Sequence, residues 1–170
     1  MTPDFLVQDF RLEACKRMRE NTEKILSCLT HFDDRSVWER VNGNSLSVAN
    51  QLLHLSGNIT QYILSGLDGQ PDQRRRDEEF DTRSGFTKQE LTERFCKVAD
   101  AAMAVTINCT LEDLTRVRRV QGFELSGLGM ILHVVEHWSY HTGQIVAWTK
   151  QRTDRQMGFY DGVDLNTPND

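Results

Sequence analysis

The chain has 170 residues, four cysteines and a formal net charge of −5, a composition typical of a globular protein with reduced thiols. The negative charge argues against nucleic-acid binding, because contact with phosphates requires a clustered positive face. No apolar run approaches the roughly 18 residues that cross a membrane, and the N-terminus lacks the basic and apolar stretches of a secretory signal. We therefore expect a cytoplasmic protein with neither a nucleic-acid partner nor a membrane partner.

Apolar residues at three- and four-residue spacing predict four amphipathic helices. These helices span approximately residues 9–29, 45–67, 87–108 and 126–151. The second helix has Ser45 and Ser47 at its start, and either side chain could cap it. Thr87 and Glu90 have the spacing of a capping box, which predicts the start of the third helix.

The segments between the helices are polar or lack a regular pattern. Residues 68–86 predict an exposed connection long enough to cross a bundle, and we interpret its basic run Arg74 to Arg76 as solvated. In residues 109–125 part of the chain could be extended, with a turn at Gly122. The pattern therefore predicts an all-α protein: a single four-helix-bundle domain over residues 1–170, with a long crossover between helices 2 and 3 and an irregular tail over 154–170.

Three of the five histidines lie in the last predicted helix, within HVVEHWSYHTGQ. His133, His137 and His141 are four residues apart, so they follow one face of the helix, bordering its apolar side. Imidazole is the commonest metal ligand in proteins, and two histidines at this spacing can bind one ion. Because His133 and His141 are about 12 Å apart along the axis, at most one adjacent pair can share an ion.

A further ligand must come from another helix, and His54 is the best candidate. It lies in QLLHLSGN, where neighbouring leucines indicate an inward face. Ligands from facing helices meet in the core of a bundle, and three histidines plus water form an open site of the catalytic type. The alternative is that these histidines are packed core residues whose ring nitrogens are satisfied by hydrogen bonds.

Residues 133–137 also match H-x-x-E-H, the signature of inverted zincin proteases, in which the glutamate is the general base. That family has a further glutamate ligand downstream, and no glutamate follows His137 in this chain. We therefore do not adopt the protease interpretation. Glu136 lies about 100° away from the histidine face, which predicts a solvated side chain.

The segments LLHLSGNITQYI and HVVEHWSYHTGQI together resemble the DinB-like superfamily of four-helix metal-binding proteins. The resemblance covers almost the whole chain and implies His54, His137 and His141 as metal ligands. His133 would then orient a ligand or line the cavity. The sequence departs from the typical motif H-x-x-x-H-x-x-H-H-R-G-Q at Tyr140 and Thr142, and neither position is among the implied ligands.

The resemblance also carries functional expectations. It implies a divalent transition metal, most often zinc or nickel, and a homodimer. Some members of the superfamily are thiol-dependent transferases that use a low-molecular-weight thiol such as bacillithiol or mycothiol, and others resemble metal-dependent hydrolases. We therefore expect a metal-dependent thiol S-transferase or hydrolase with a small-molecule substrate. The alternatives are a non-catalytic metal-binding or stress-response module and a purely structural bundle. The sequence indicates no separate catalytic nucleophile.

Overall fold

The computed structural model describes residues 3–169, in which four long helices form a bundle. In chain order the elements are α1 (Pro3–Leu29), a 3₁₀ turn (Ser36–Trp38), α2 (Val48–Ile59), a π-helical continuation of α2 (Thr60–Ser65), α3 (Arg76–Asp81), α4 (Lys88–Asn108), α5 (Leu111–Thr115), β1 (Val117–Val120), β2 (Phe123–Ser126) and α6 (Gly127–Thr153). The predicted all-α class is confirmed, with the long crossover connecting α2 to α4. The predicted domain and tail include residues 1, 2 and 170, which lie outside the described range.

Side-chain caps define where the helices begin. Ser47, and not Ser45, caps α2 by accepting a hydrogen bond from the backbone N–H of Asn50. The predicted capping box of α4 is present, because Thr87 accepts from the backbone of Glu90 at 3.2 Å and Glu90 accepts from the backbone of Thr87 at 2.8 Å. These caps fix the first residues of α2 and α4, the two helices that the crossover connects.

The core lies between α1, α2, α4 and α6 and contains large side chains from each of them. Met18, Leu55, Phe95 and Trp138 are all 1% exposed or less. The rings of Phe95 and Trp138 meet edge to face, with centroids 5.6 Å apart. Burial of each such side chain contributes about 1.5–3 kcal/mol, so this packing holds the four helices together.

Two segments differ from the sequence-based expectation. The first helix begins at Pro3 and not near residue 9. Residues 68–86 are not simply an exposed connection, because they contain α3, and the side chain of Glu79 in α3 is buried. The crossover therefore packs against the bundle and places an acidic side chain inside it.

Residues 111–126 contain the short helix α5 and a two-stranded antiparallel hairpin. In the hairpin, Val117 pairs with Ser126, and Val120 pairs with Phe123. Gln121 and Gly122 connect the strands with φ values of 51° and 85°, the left-handed conformation that a tight hairpin turn requires and that favours glycine. The turn predicted at Gly122 and the extended chain around it are thus present.

The C-terminal tail contains turns but neither helix nor strand over residues 154–169. Its Phe159 packs partly against the core. None of the helices within residues 3–169 is long and apolar enough to cross a membrane.

Candidate metal centre

Three histidines from two helices converge inside the bundle. His54 comes from α2, and His137 and His141 come from successive turns of α6. One ring nitrogen from each lies within 4.8 Å of the other two. His54 and His141 are 6% and 4% exposed, and His137 is half-buried, so the cluster is enclosed on one side and reachable on the other. The structure thus brings together the three residues singled out in the sequence.

A hydrogen bond to Glu79 fixes the tautomer of His54. Oε2 of Glu79 lies 2.9 Å from Nδ1 of His54. Nη2 of Arg74 lies farther from the same nitrogen, at 3.2 Å. A carboxylate can only accept and a guanidinium can only donate, so the shorter contact to the anion places the imidazole hydrogen on Nδ1. The lone pair of His54 is therefore on Nε2, which faces the other two histidines.

Arg74 keeps Glu79 ionised inside the protein. Its Nε and Nη2 each donate to a different oxygen of Glu79 at 2.8 Å, and the Arg74 side chain is only 2% exposed. Burial alone raises the pKa of the Glu79 carboxyl, but the hydrogen bonds from Arg74 and His54 outweigh it and hold the pKa below its ordinary value. The interpretation of Arg74 as a solvated residue was wrong, because it pairs with a buried carboxylate.

Gly57 makes room for this carboxylate against α2. A Cβ atom at Gly57 would overlap Oε1 of Glu79 and would also meet Nε of Arg74 at 3.1 Å. A side chain at this position, one turn beyond His54, would displace the Glu79 carboxylate. The absence of a side chain at Gly57 is therefore part of how the centre is assembled.

The two histidines that α6 contributes to the cluster, His137 and His141, are neutral at physiological pH. Burial, assisted by the neighbouring imidazoles, lowers the pKa of His137 to about 3. Burial and the nearby His54 lower the pKa of His141 to about 4. Nδ1 of His141 lies 3.3 Å from Oε1 of Gln51, which accepts its hydrogen and leaves Nε2 as the free nitrogen. Neutral imidazoles with free lone pairs are the form that binds metal.

The donor set fits a divalent transition-metal ion. Nε2 of His54 and Nε2 of His137 are 3.0 Å apart, close to the separation of about 3.3 Å between ligand nitrogens in a tetrahedral zinc site. Three imidazoles suit zinc, nickel or copper better than the oxygen-preferring magnesium or calcium. These three side chains could therefore hold one ion.

A family described as "Protein of unknown function (DUF1572)" matches residues 5–159 of the chain. The chain belongs to the DUF1572 family. None of the curated proteins matches this DUF1572 chain significantly.

Solved structures identify the fold of the DUF1572 protein. It is similar to a DinB-like protein from Bacillus cereus ATCC 10987, with 16% identity, a TM-score of 0.62, and coverage of 82% of this chain and 89% of that one. It is also similar to a DinB-like protein, YjoA, from Bacillus subtilis, with 12% identity, a TM-score of 0.63, and coverage of 82% and 91%. The DUF1572 chain has the DinB-like fold, and the resemblance inferred from the histidine motifs is confirmed for the fold.

His133 of the DUF1572 protein stands beside the cluster and not within it. Its ring stacks on Tyr62 at 4.2 Å and lies 5.6 Å from the ring of His137. Its Nε2 lies 3.3 Å from Nδ2 of Asn58. Glu136 is exposed, as its place on the helix predicts. His133 therefore borders the reachable side of the centre, next to His137.

Sequence reasoning missed the residues that hold the histidines in place, namely Glu79, Arg74 and Gln51. Arg74 and Glu79 lie in a densely charged run that is typical of a solvated loop. One usable signal was Gly57, because an isolated glycine inside a helical pattern often marks a close approach of another segment. That signal does not say which segment approaches.

Proposed function

We propose that this DUF1572 protein binds one divalent transition-metal ion, zinc or nickel, through His54, His137 and His141. We further propose that it is a metal-dependent enzyme acting on a small-molecule substrate. The observation that supports both proposals is the convergence of three imidazoles, each with a ring nitrogen within 4.8 Å of the other two.

An ion held by three protein ligands keeps a coordination position open and supplies a Lewis acid that lowers the pKa of a bound thiol or water. The chain's own residues orient the ligands: Glu79 holds His54, and Gln51 holds His141. His137 is the most accessible of the three histidines.

The surroundings favour thiol transfer over hydrolysis. Both oxygens of Glu79 are occupied by Arg74 and His54, so this carboxylate orients His54 and is not free to act as a general base. A thiol, with an ordinary pKa of about 8.5, needs less help to ionise than water does. We therefore propose a thiol S-transferase that uses a low-molecular-weight thiol, with a hydrolase as the second reaction class.

Metal analysis of protein purified without an affinity tag tests the metal proposal. We expect about one equivalent of zinc or nickel in the native protein and a loss of most of it in His137→Gln. His31→Gln, at a histidine outside the cluster, serves as the matched control. A metal-free native protein that also fails to take up added zinc would contradict the proposal and indicate packed core histidines.

Activity screening tests the enzyme proposal separately. Metal-loaded protein would be offered bacillithiol or mycothiol together with an electrophile such as 1-chloro-2,4-dinitrobenzene, and, in parallel, p-nitrophenyl esters. We expect thiol-dependent turnover that is lost in His137→Gln. Full metal occupancy without turnover in either assay would indicate a non-catalytic binding module.

We also propose that the protein is a cytoplasmic homodimer. Leu12 of α1 and Ile107 of α4 are 51% and 37% exposed and line the same groove between the two helices, which supports an apolar contact there. Sedimentation equilibrium of the native protein and of Leu12→Glu tests this: a native dimer that becomes monomeric in the variant is the expected result.

A further inference from the structure

A cavity of about 430 Å³ opens beside His141, between the chain that precedes α2 and the C-terminal half of α6. Its lining includes His141 and Gln51, each 4% exposed, as well as Val41 and Tyr140, which are 54% and 63% exposed. The cavity thus has a buried inner wall and an open rim. His141 belongs to the histidine cluster and its Nδ1 contacts Gln51, so a molecule in the cavity borders one of the three candidate metal ligands.

Among residues 3–169, none of those that line this cavity is Asp, Glu, Lys or Arg. Leu46, Ala147 and Trp148 supply apolar surface, while Asn44 and Gln144 supply amides. Three other cavities of similar size within the described residues each contain charged side chains. They are lined, respectively, by Arg74 with Glu79, by Asp68 with Asp113, and by Lys16 with Arg19. In a chain of which 26% is charged, the cavity that touches a candidate metal ligand is the uncharged one among these four.

We propose that this cavity, here called the neutral cavity, binds the uncharged part of the substrate. The inference rests on the proposed function only in where it places the reacting atoms. The chemistry of the cavity does not depend on that function. An anionic group entering it would lose hydration without gaining a cationic partner, and a cationic group would find no carboxylate. An aromatic or aliphatic group can pack on Trp148 and Leu46, while Gln144 both donates to and accepts from a neutral amide or hydroxyl.

Three probes of nearly identical shape separate the charge states: benzamide, benzoate and benzamidinium. The titrations use the metal-free full-length protein near pH 7, so that benzoate cannot gain affinity by coordinating an ion. Binding is followed through the indole N–H signal of Trp148, assigned with Trp148→Phe. We expect benzamide to bind about tenfold or more tightly than either ion and to shift this signal. Binding of benzoate or benzamidinium as tight as that of benzamide, or no shift at Trp148, would overturn the proposal.

A charge introduced into the wall provides the second test. Ala147 is exposed and lines the neutral cavity, so Ala147→Arg adds a cation there without disturbing the core. We expect this variant to bind benzoate more tightly than benzamide. Ser139→Arg, at an exposed position of α6 outside the cavity, should keep the native order. An unchanged order in Ala147→Arg would place the probes elsewhere and overturn the proposal.

A zinc titration of the same metal-free protein separates the two proposals. Preference for benzamide without zinc binding would leave the neutral cavity supported and the metal-dependent function contradicted. Zinc binding without preference for benzamide would contradict the neutral cavity alone.

Discussion

Oε2 of Glu79 lies 2.9 Å from Nδ1 of His54, although the two residues are 25 positions apart in the chain. Glu79 comes from the crossover and His54 from α2, so the connection between the two halves of the bundle contributes to the histidine cluster. The bond sets which nitrogen of His54 carries the hydrogen, and Arg74 keeps the carboxylate ionised.

Replacement of Glu79 should therefore weaken metal binding without unfolding the protein. We expect Glu79→Gln to lower zinc affinity about 10- to 100-fold, because a neutral amide orients and polarises His54 less than a carboxylate does. Competition with a chromophoric chelator measures the affinity, and circular dichroism monitors the fold. Glu78→Gln is the matched control, since Glu78 is exposed and pairs only with Arg75. Native affinity in Glu79→Gln would show that this carboxylate has no role in the centre.

Two glycine-to-alanine substitutions should have opposite effects on stability. Gly57→Ala places a methyl group where the Glu79 carboxylate lies, and we expect the free energy of unfolding to fall by about 1–3 kcal/mol. The added methyl group of Gly143→Ala, in α6, meets no atom of the described residues within 4 Å. This substitution should raise the free energy of unfolding by about 0.5–1 kcal/mol through helix propensity. Urea unfolding of both variants measures the difference. Equal effects would mean that the crossover does not pack against Gly57 as described.

Added zinc should stabilise the native protein. A ligand that binds only the folded state stabilises it by about 2.7 kcal/mol when its concentration is 100 times the Kd, so the Tm should rise with zinc concentration. His141→Gln should show little or no rise, because it removes one of the three nitrogens. Differential scanning calorimetry with and without a chelator measures the shift. A similar rise in the native protein and in His141→Gln would indicate zinc binding elsewhere.

The metal-free protein should lose stability as the pH falls below about 6.5. Folding lowers the pKa of His137 to about 3 and of His141 to about 4, whereas an unfolded histidine titrates near 6.5. Between these values the unfolded state binds more protons than the folded state, so the free energy of unfolding decreases as the pH falls through this window. The lowered pKa of Glu79 changes the free energy of unfolding only below about pH 4.5. The change between pH 7 and pH 5 therefore comes from the histidines.

Urea unfolding at pH 7.5 and pH 5.5 measures this effect. His137→Gln removes one of the contributing groups, so its stability should change less between the two values. A native protein whose unfolding free energy is the same at both would show that the histidines are not held neutral by burial.

Local patterns in the sequence were enough to predict the helices of the bundle. Apolar spacing predicted four long helices, and the capping box of Thr87 and Glu90 predicted the start of α4. The four-residue spacing of His137 and His141 placed them on one face, because helix geometry alone determines that relation. Such features are fixed by residues within one or two turns of each other, and this is why they can be read without the fold.

The tertiary structure decided how the histidines are held. Arg74 and Glu79 lie in a charged run whose local pattern is that of a solvated loop, yet both side chains are buried beside His54. Their burial is favourable only because each charge meets its partner and because Gly57 leaves room for the carboxylate. The neutral cavity likewise forms from two segments about 90 residues apart, as the contact between Gln51 and His141 shows. Such complementarity between distant segments depends on how the bundle closes, and no local pattern in the sequence encodes it.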